Sequence, residues 1–328
     1  MNSFGQLFRI SIFGESHGSN VGICVDGCPA GIPLQVSDFE KDIVRRKSGA
    51  KGTTPRIEDD QPLIATGVFN QHTTGAPITI LFENNNTKSK DYSNLIHHPR
   101  PGHSDFVASR KYHGFNDYRG GGYFSGRLTL PLVAAGVIAK KILPPDINIQ
   151  AKLIEAGGHA DIDFAINEAI REGDSIGGIV ECRVSGLPVG LGEPFFSSAH
   201  ALLSHIVFSI PAIKGIEFGD GFTAAMMHGS EHNDCYIDEL GTTETNHAGG
   251  LSGGMTNGNP LIFRVAVKPT SSTSKEQKTF NFKSKKIESL KIEGRHDLCI
   301  ALRVPPVIEA VTAIVFADLL MIHNSKKM

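Results

Sequence analysis

At 328 residues, 40% hydrophobic and 20% charged, the chain is long enough to bury one large core or two ordinary ones. With 32 Lys+Arg against 34 Asp+Glu the formal net charge is -2. No global field then draws in nucleic acid or an anionic membrane, and any anion site has to be built locally. Cys24, Cys28, Cys182, Cys235 and Cys299 are odd in number and form no CxxC pair, and none of the 14 histidines falls in an HExxH. That excludes a disulfide framework and predicts no metal. The first residues lack a basic start followed by an apolar run, and the apolar stretches 130–139 and 305–321 are respectively too short and broken by Glu309 and Asp318. The expectation is a soluble cytoplasmic protein without a membrane span.

In chain order, residues 21–25 read as a strand, 36–47 as a helix capped near Ser37 and Asp38, and 78–82 as a second strand. A polar, Asn-rich loop is predicted over 84–98. Helices follow over 131–143 and 162–172, strands over 178–184 and 261–267, a Ser- and Lys-rich loop over 271–295, and a last helix over 305–321. Strands and helices do not alternate one for one, which predicts α+β rather than a doubly wound sheet.

The chain also repeats itself. Gly14-Glu15-Ser16-His17-Gly18 lies over Gly173-Asp174-Ser175-Ile176-Gly177, and Gly27, Pro29 and Gly31 then fall on Gly186, Pro188 and Gly190. Thr74-Gly75-Ala76-Pro77 matches Asn257-Gly258-Asn259-Pro260 in the same order. A duplication is expected, with pseudo-symmetric halves of about 1–145 and 146–328 in one domain, each giving one sheet to a shared core. His17 has Ile176 as its counterpart, as expected for a single site.

Four segments carry candidate chemistry. Gly14 to Gly18 fits the GxSxG of a serine nucleophile elbow, but that elbow needs a following helix and residues 21–25 read as a strand. Arg100-Pro101-Gly102-His103-Ser104-Asp105 places a cation, an imidazole and a carboxylate on a proline-fixed turn. The same second segment continues with Asp117-Tyr118-Arg119-Gly120-Gly121-Gly122-Tyr123-Phe124-Ser125-Gly126-Arg127, a glycine run bracketed by arginines and suited to holding an anion against backbone amides. The third and fourth, His247 to Gly254 with Lys268-Pro269-Thr270-Ser271-Ser272, and Gly294-Arg295-His296-Asp297, offer a phosphate-holding turn and a cation–imidazole–carboxylate cluster. No Walker A loop and no Rossmann fingerprint occur.

Together with Gly5-Gln6-Leu7-Phe8-Arg9, Gly192-Glu193-Pro194 and the segment from Lys214 to Phe222, these motifs resemble the chorismate synthase family from Gly5 to the last helix. The resemblance implies a β-α-β sandwich, with helices between antiparallel sheets, assembled as a homotetramer. It implies a lyase of the shikimate pathway, in aromatic amino acid biosynthesis. That enzyme converts 5-enolpyruvylshikimate 3-phosphate to chorismate and phosphate by 1,4-anti elimination, with reduced FMN lending an electron and recovering it. By resemblance His17 serves the leaving phosphate, His103 keeps the reduced flavin suitably protonated, and Asp297 works with the flavin in removing the ring hydrogen. Ser16 and Ser125 support that geometry. Arg46, Arg100, Arg127 and Arg295 are the implied substrate clamps. Tyr123, Phe124, Ser125, Pro211, Ala212, Gly253, Lys268, Pro269, Thr270, Ser271, Ser272 and Arg295 are the implied flavin contacts. The chain departs from the family where Tyr123-Phe124 replaces Arg-Ser, where Gly126 replaces Ala, and where a second arginine after Arg46 is replaced near Lys51. No reductase segment is visible, so an external flavin reductant or reductase is expected, and whether NADPH reduces flavin on the chain itself stays open. The alternatives are a serine hydrolase built on Ser16 with His103 and Asp297, and a flavin-binding homologue that has lost activity.

Overall fold

The apolar alternation along residues 20–26 and 261–267 buries every second side chain, and each run becomes a central strand of an antiparallel sheet. A computed structural model describes residues 2–56, 58–85, 95–292 and 296–326. In chain order the first strands are β1 (Ser3–Phe4), β2 (Arg9–Gly14), β3 (Asn20–Asp26), β4 (Leu63–Ile64), β5 (Val68–Phe69), β6 (His72–Thr73) and β7 (Ile78–Glu83). The second half supplies β8 (Asn148–Ala156), β9 (Gly178–Ser185), β10 (Ile213–Phe218), β11 (Leu251–Ser252), β12 (Met255–Thr256), β13 (Leu261–Val267), β14 (Gln277–Asn281) and β15 (Lys286–Leu290). The helices are α1 (Glu40–Arg46), α2 (Asp105–Lys111), α3 (Thr129–Ile142), α4 (Ile162–Glu172), α5 (Ala199–Ser209), α6 (Gly229–His232) and α7 (Pro305–Ser325).

One sheet has the order β1-β2-β3-β7-β4 and the other β10-β13-β9-β8. Ile23 pairs with Ile80 in the first, and Phe263 with Cys182 in the second. Helix α3 covers the first sheet, α7 covers the second, and the two helices lie against each other, so the fold is α+β with the helices inside. Gly136 makes that crossing close: a Cβ there would stand 2.3 Å from the Cβ of Ala310. Nearly all of α3 and most of α7 is buried, and each fully buried Ile, Leu or Phe contributes about 1.5–3 kcal/mol. By length and composition α7 and the run Arg119–Ile142 could cross a membrane, but most of both is enclosed by the sheets.

Helix α4 has the bounds its sequence predicts because both ends are signalled. Asp161 accepts from the Phe164 amide at 3.0 Å, and Gly173 takes the left-handed conformation at the C-terminus. The predicted helix 36–47 begins instead as a 3₁₀ turn, Val36–Phe39, with the Asp38 carboxylate accepting from the Gln35 amide at 2.8 Å. The predicted loop 271–295 is corrected: it contains the β14–β15 hairpin. Phe282 of that hairpin stacks on Phe106 of α2 with ring centroids 5.1 Å apart, while lysines on its outer face hide the alternation. Of the predicted loop 84–98, residues 86–94 lie outside the described residues.

Two separate turns make the same set of bonds. Thr73 Oγ1 donates to Pro29 O at 2.6 Å and accepts from Ile32 N at 3.0 Å; Thr256 Oγ1 donates to Pro188 O at 2.6 Å and accepts from Leu191 N at 2.9 Å. Gly31 and Gly190 donate to the carbonyls of Thr73 and Thr256, each at 2.8 Å. At the far end of the chain, buried Asp318 of α7 accepts from the backbone amides of Gln6, Leu7 and Phe8 at 2.9, 2.7 and 2.9 Å.

Candidate active site

The turn between β2 and β3 carries Ser16 and His17, both buried. It is fixed by the Ser16 amide donating to Gly122 O at 3.1 Å. Gly120, Gly121 and Gly122 have φ of 59°, 81° and 54°, a left-handed succession that only glycine adopts without strain. The bare backbone lets the chain lie flat on the imidazole: a Cβ on Gly120 would come within 2.4 Å of His17 Cδ2 and 2.9 Å of Ser16 Oγ.

On the next wall Arg100 and Asp105 form a two-pronged ion pair, Nε to Oδ2 and Nη2 to Oδ1, each 2.8 Å. His103 Nδ1 lies 2.6 Å from Asp105 Oδ1 and 3.1 Å from Arg100 Nη2. It cannot donate to one and accept from the other, and the shorter contact to an anion sets it as donor to the carboxylate, leaving Nε2 beside Gly121. Burial alone would raise the Asp105 carboxyl, but bonds from Arg100 and His103 outweigh it and hold that group well below the usual carboxylate range.

Arg46, at the end of α1, donates from Nε to Thr129 Oγ1 at 3.0 Å and from Nη2 to Gly126 O at 2.9 Å. Burial, with the like charges of Arg303 and Arg127, pulls its guanidinium down to about 9, so it stays charged near neutrality. Arg127 donates to Asn84 Oδ1 at 2.9 Å, to Glu83 O at 3.0 Å and to Asp60, and faces Glu58 at 3.0 Å. Asp297 accepts from the Thr54 amide at 2.9 Å and from Arg303 Nη1 at 3.1 Å, and Arg303 Nε in turn holds Arg46 O at 2.9 Å. Lys268 Nζ donates to Ser271 Oγ at 2.7 Å, and burial followed by the charge of Lys214 lowers its ammonium. Ser271 Oγ donates to Gly102 O at 2.8 Å, while Ser272 Oγ accepts from Arg100 Nη1 at 2.9 Å.

These walls enclose a cavity of about 710 Å³, within the range of small-molecule sites. Among the described residues eight Lys or Arg and three Asp or Glu line it, which leaves an excess of five positive charges. Apolar side chains share the lining, among them Tyr123, Phe124, Phe208, Ile210 and Pro211. Such a lining suits a polyanion together with a flat apolar group.

A chorismate synthase sequence profile matches residues 8–321. The chain belongs to the chorismate synthase family. It is 66% identical to a chorismate synthase of Chitinophaga pinensis over 99% of this chain and 98% of that one. It is 47% identical to one of Dehalococcoides mccartyi over 97% of this chain and 96% of that one. A crystal structure of a chorismate synthase superposes with a TM-score of 0.73 at 25% identity, covering 97% of this chain and 92% of that chain. The chain is accordingly an enzyme, a lyase of aromatic biosynthesis that acts on a small molecule to form chorismate. The hydrolase alternative finds no support: Ser16 is 2% exposed and the turn leads into β3 rather than a helix. Nor does anything support an inactive homologue.

Most residues expected at the chorismate synthase site line this cavity: Ser16, Arg46, Arg100, His103, Tyr123, Phe124, Ser125, Arg127, Pro211, Ala212, Lys268, Pro269, Thr270, Ser271, Ser272 and Asp297. His17 lies directly behind Ser16 rather than on the wall. Gly253 is not brought to the cavity; it forms the turn between β11 and β12, with φ of 58°. Arg295 lies outside the described residues. The expectation for Lys51 is corrected, because its ammonium bonds Asn167 of α4 while Arg56 lines the cavity instead. The sequence reading also missed Glu58, Asp60, Phe208 and Arg303. A signal existed in the dense Arg56–Asp60 charge run and in Arg303, six residues after Asp297.

Proposed function

We propose that this cavity brings 5-enolpyruvylshikimate 3-phosphate and reduced FMN together for the 1,4-anti elimination of phosphate. The observation that carries the reading is the excess of positive charge in a cavity whose walls also carry apolar side chains. A substrate with one phosphate and two carboxylates matches the first, and a flavin ring with its own phosphate tail matches both, so the residues present fit the group. When bound, reduced FMN lends an electron to the substrate and recovers it.

The chain's own residues supply the rest. Tyr123, Phe124, Ser125, Pro211 and Ala212 hold the flavin ring, and Lys268 to Ser272 its polar parts. Arg46 and Arg127 draw the substrate's anions. Arg100 adds charge but not a free fork, since Asp105 already occupies it, and its stronger effect is to hold Asp105, and through it His103, in place. His103 presents Nε2 toward the flavin and steadies its protonation. His17, seated behind Ser16 and Gly120, serves the departing phosphate by passing a proton through the Ser16 hydroxyl, which lines the cavity. Asp297, held through one oxygen by the Thr54 amide and through the other by Arg303, receives the ring proton.

The same reading extends to organisation. The duplicated bonds of Thr73 and Thr256 support a single domain made of halves 1–145 and 146–328. Exposed Phe195, Phe196, Phe222, Met226 and Leu240, four of them on short 3₁₀ turns between residues 195 and 226, support a homotetramer, because large apolar side chains in number mark contact surfaces. Flavin reduction falls to an external reductant or reductase, and the enzyme works in the cytoplasm.

The test is anaerobic: purified protein with 5-enolpyruvylshikimate 3-phosphate and chemically reduced FMN, following chorismate absorbance and released phosphate, with oxidised FMN as control. Turnover only with reduced FMN is the expected result. Turnover without flavin would end the cofactor reading. His103→Ala and Asp297→Ala should each lower kcat at least about tenfold with folding intact, and a near-normal rate in either removes that residue's role.

A further inference from the structure

Of the three acids that line the cavity among the described residues, Asp60 has the least exposed side chain, 3% against 11% for Glu58 and 10% for Asp297. The mechanism above gives it nothing to do. Its carboxylate sits between two of the substrate clamps, bonded through Oδ1 to Arg127 and 3.7 Å from Arg46 through Oδ2. Glu58 stands behind it, 3.0 Å from Arg127 and paired with Arg56.

A positioning role is the obvious alternative, and the hydrogen bonds argue against it. Arg46 is aimed by Thr129 and the Gly126 carbonyl, Arg127 by Asn84 and the Glu83 carbonyl. These neutral partners hold both guanidinium groups whether or not Asp60 is charged. What Asp60 adds is a negative charge within a few ångströms of any anion those arginines receive. Like charges that close, in a site shielded from water, repel strongly.

We propose that Asp60, backed by Glu58, is a built-in counter-anion that sets how tightly the Arg46–Arg127 pair holds phosphate and carboxylate groups. Two unopposed arginines would retain inorganic phosphate, which this reaction releases at every turnover. The buried carboxylate limits that retention. The proposal rests on the reading of the cavity as the lyase's anion site.

Asp60 has φ of +50°, a conformation that Asn tolerates as well as Asp, so Asp60→Asn removes charge without straining the backbone. The probe is inorganic phosphate, titrated calorimetrically at low salt into wild type, Asp60→Asn and Glu58→Gln. Asp60→Asn should bind phosphate about tenfold tighter or more and Glu58→Gln about threefold tighter, with phosphate inhibition of chorismate formation strengthening in step. Unchanged or weaker phosphate affinity in Asp60→Asn would overturn the proposal and leave the site assignment standing. Should Asp60→Asn fail to fold, Glu58→Gln decides alone, and an unaltered affinity there is equally fatal. Absence of phosphate binding in all three proteins would overturn the anion-site reading, and this proposal with it.

Discussion

Replacing Asp105 with Asn tests the ion pair that frames His103. The carboxylate accepts two bonds of 2.8 Å from the Arg100 side chain, one of 3.1 Å from the Arg100 amide, and the 2.6 Å contact from His103 Nδ1. Arg100 is 6% exposed, and stripping the partner from a buried charge costs about 3–5 kcal/mol. The Asn oxygen recovers one acceptor, which brings the expected loss to about 3 kcal/mol. At roughly 2–4 °C per kcal/mol the melting temperature should fall by roughly 6–12 °C. The pH dependence has a definite sign. Because the folded Asp105 carboxyl titrates below its unfolded value, its stabilisation is complete above about pH 4 and fades as pH falls through the folded value. The gap between wild type and variant should therefore be constant near neutrality and close only in acid. Catalysis should suffer as well, since an Asn amide facing Nδ1 donates where the carboxylate accepted and drives the imidazole proton to Nε2. A loss of about 10²-fold in kcat is expected, with partial recovery in Asp105→Glu. Thermal unfolding by circular dichroism and the anaerobic chorismate assay read the two effects. A variant with wild-type melting temperature and rate would refute both the electrostatic argument and the tautomer assignment.

Gly120→Ala puts a methyl group into His17 at 2.4 Å while holding φ near +59°; it should cut chorismate formation at least about tenfold, and wild-type turnover would show that the imidazole does not need its seat. Thr73→Val and Thr256→Val each remove a hydroxyl that bridges a Pro carbonyl and a backbone amide, so each should cost about 1–2 kcal/mol in denaturant unfolding. Costs of very different size would show that the two turns do not carry equal weight. Burial pushes the Cys28 thiol up to about 11, leaving about a thousandth of it as thiolate at pH 8. In a native thiol titration with a disulfide reagent, exposed Cys235 should react at once and Cys28 only on unfolding; prompt modification of Cys28 would contradict the burial drawn for it.

Strands β3, β7, β9 and β13 and helix α4 were legible in the sequence because each lies against the core on one side and carries its own start and stop residues. The β14–β15 hairpin was not. Its apolar residues, Phe280, Phe282, Ile287, Leu290 and Ile292, are scattered among lysines and rest only on α2 and a small cluster with Leu95, so the run reads as a lysine-rich loop. The same contrast holds at the site. Glycine, proline and histidine motifs announce the turns around Ser16, His103 and Asp297, because those backbone shapes need particular residues. Glu58, Asp60 and Arg303 sit in plain charged stretches and gain meaning only from partners that the fold brings across, Arg127 and Asp297 among them. Lys51 illustrates the converse: a charge in the right place along the chain points away to Asn167 once the helices are set.

The clasp between Asp318 and the amides of Gln6, Leu7 and Phe8 has a consequence for synthesis. A ribosome delivers the start of the chain first, but the acceptor for those three amides arrives only with the last helix. Until then α3 and the first sheet lack α7 as well, so the nascent amino-terminal half is obliged to wait with its apolar helix uncovered, and nascent chains in that condition are those most exposed to aggregation. Closure of the two ends is thus a late event in the life of each molecule, and premature termination short of residue 318 would leave a product that never completes it.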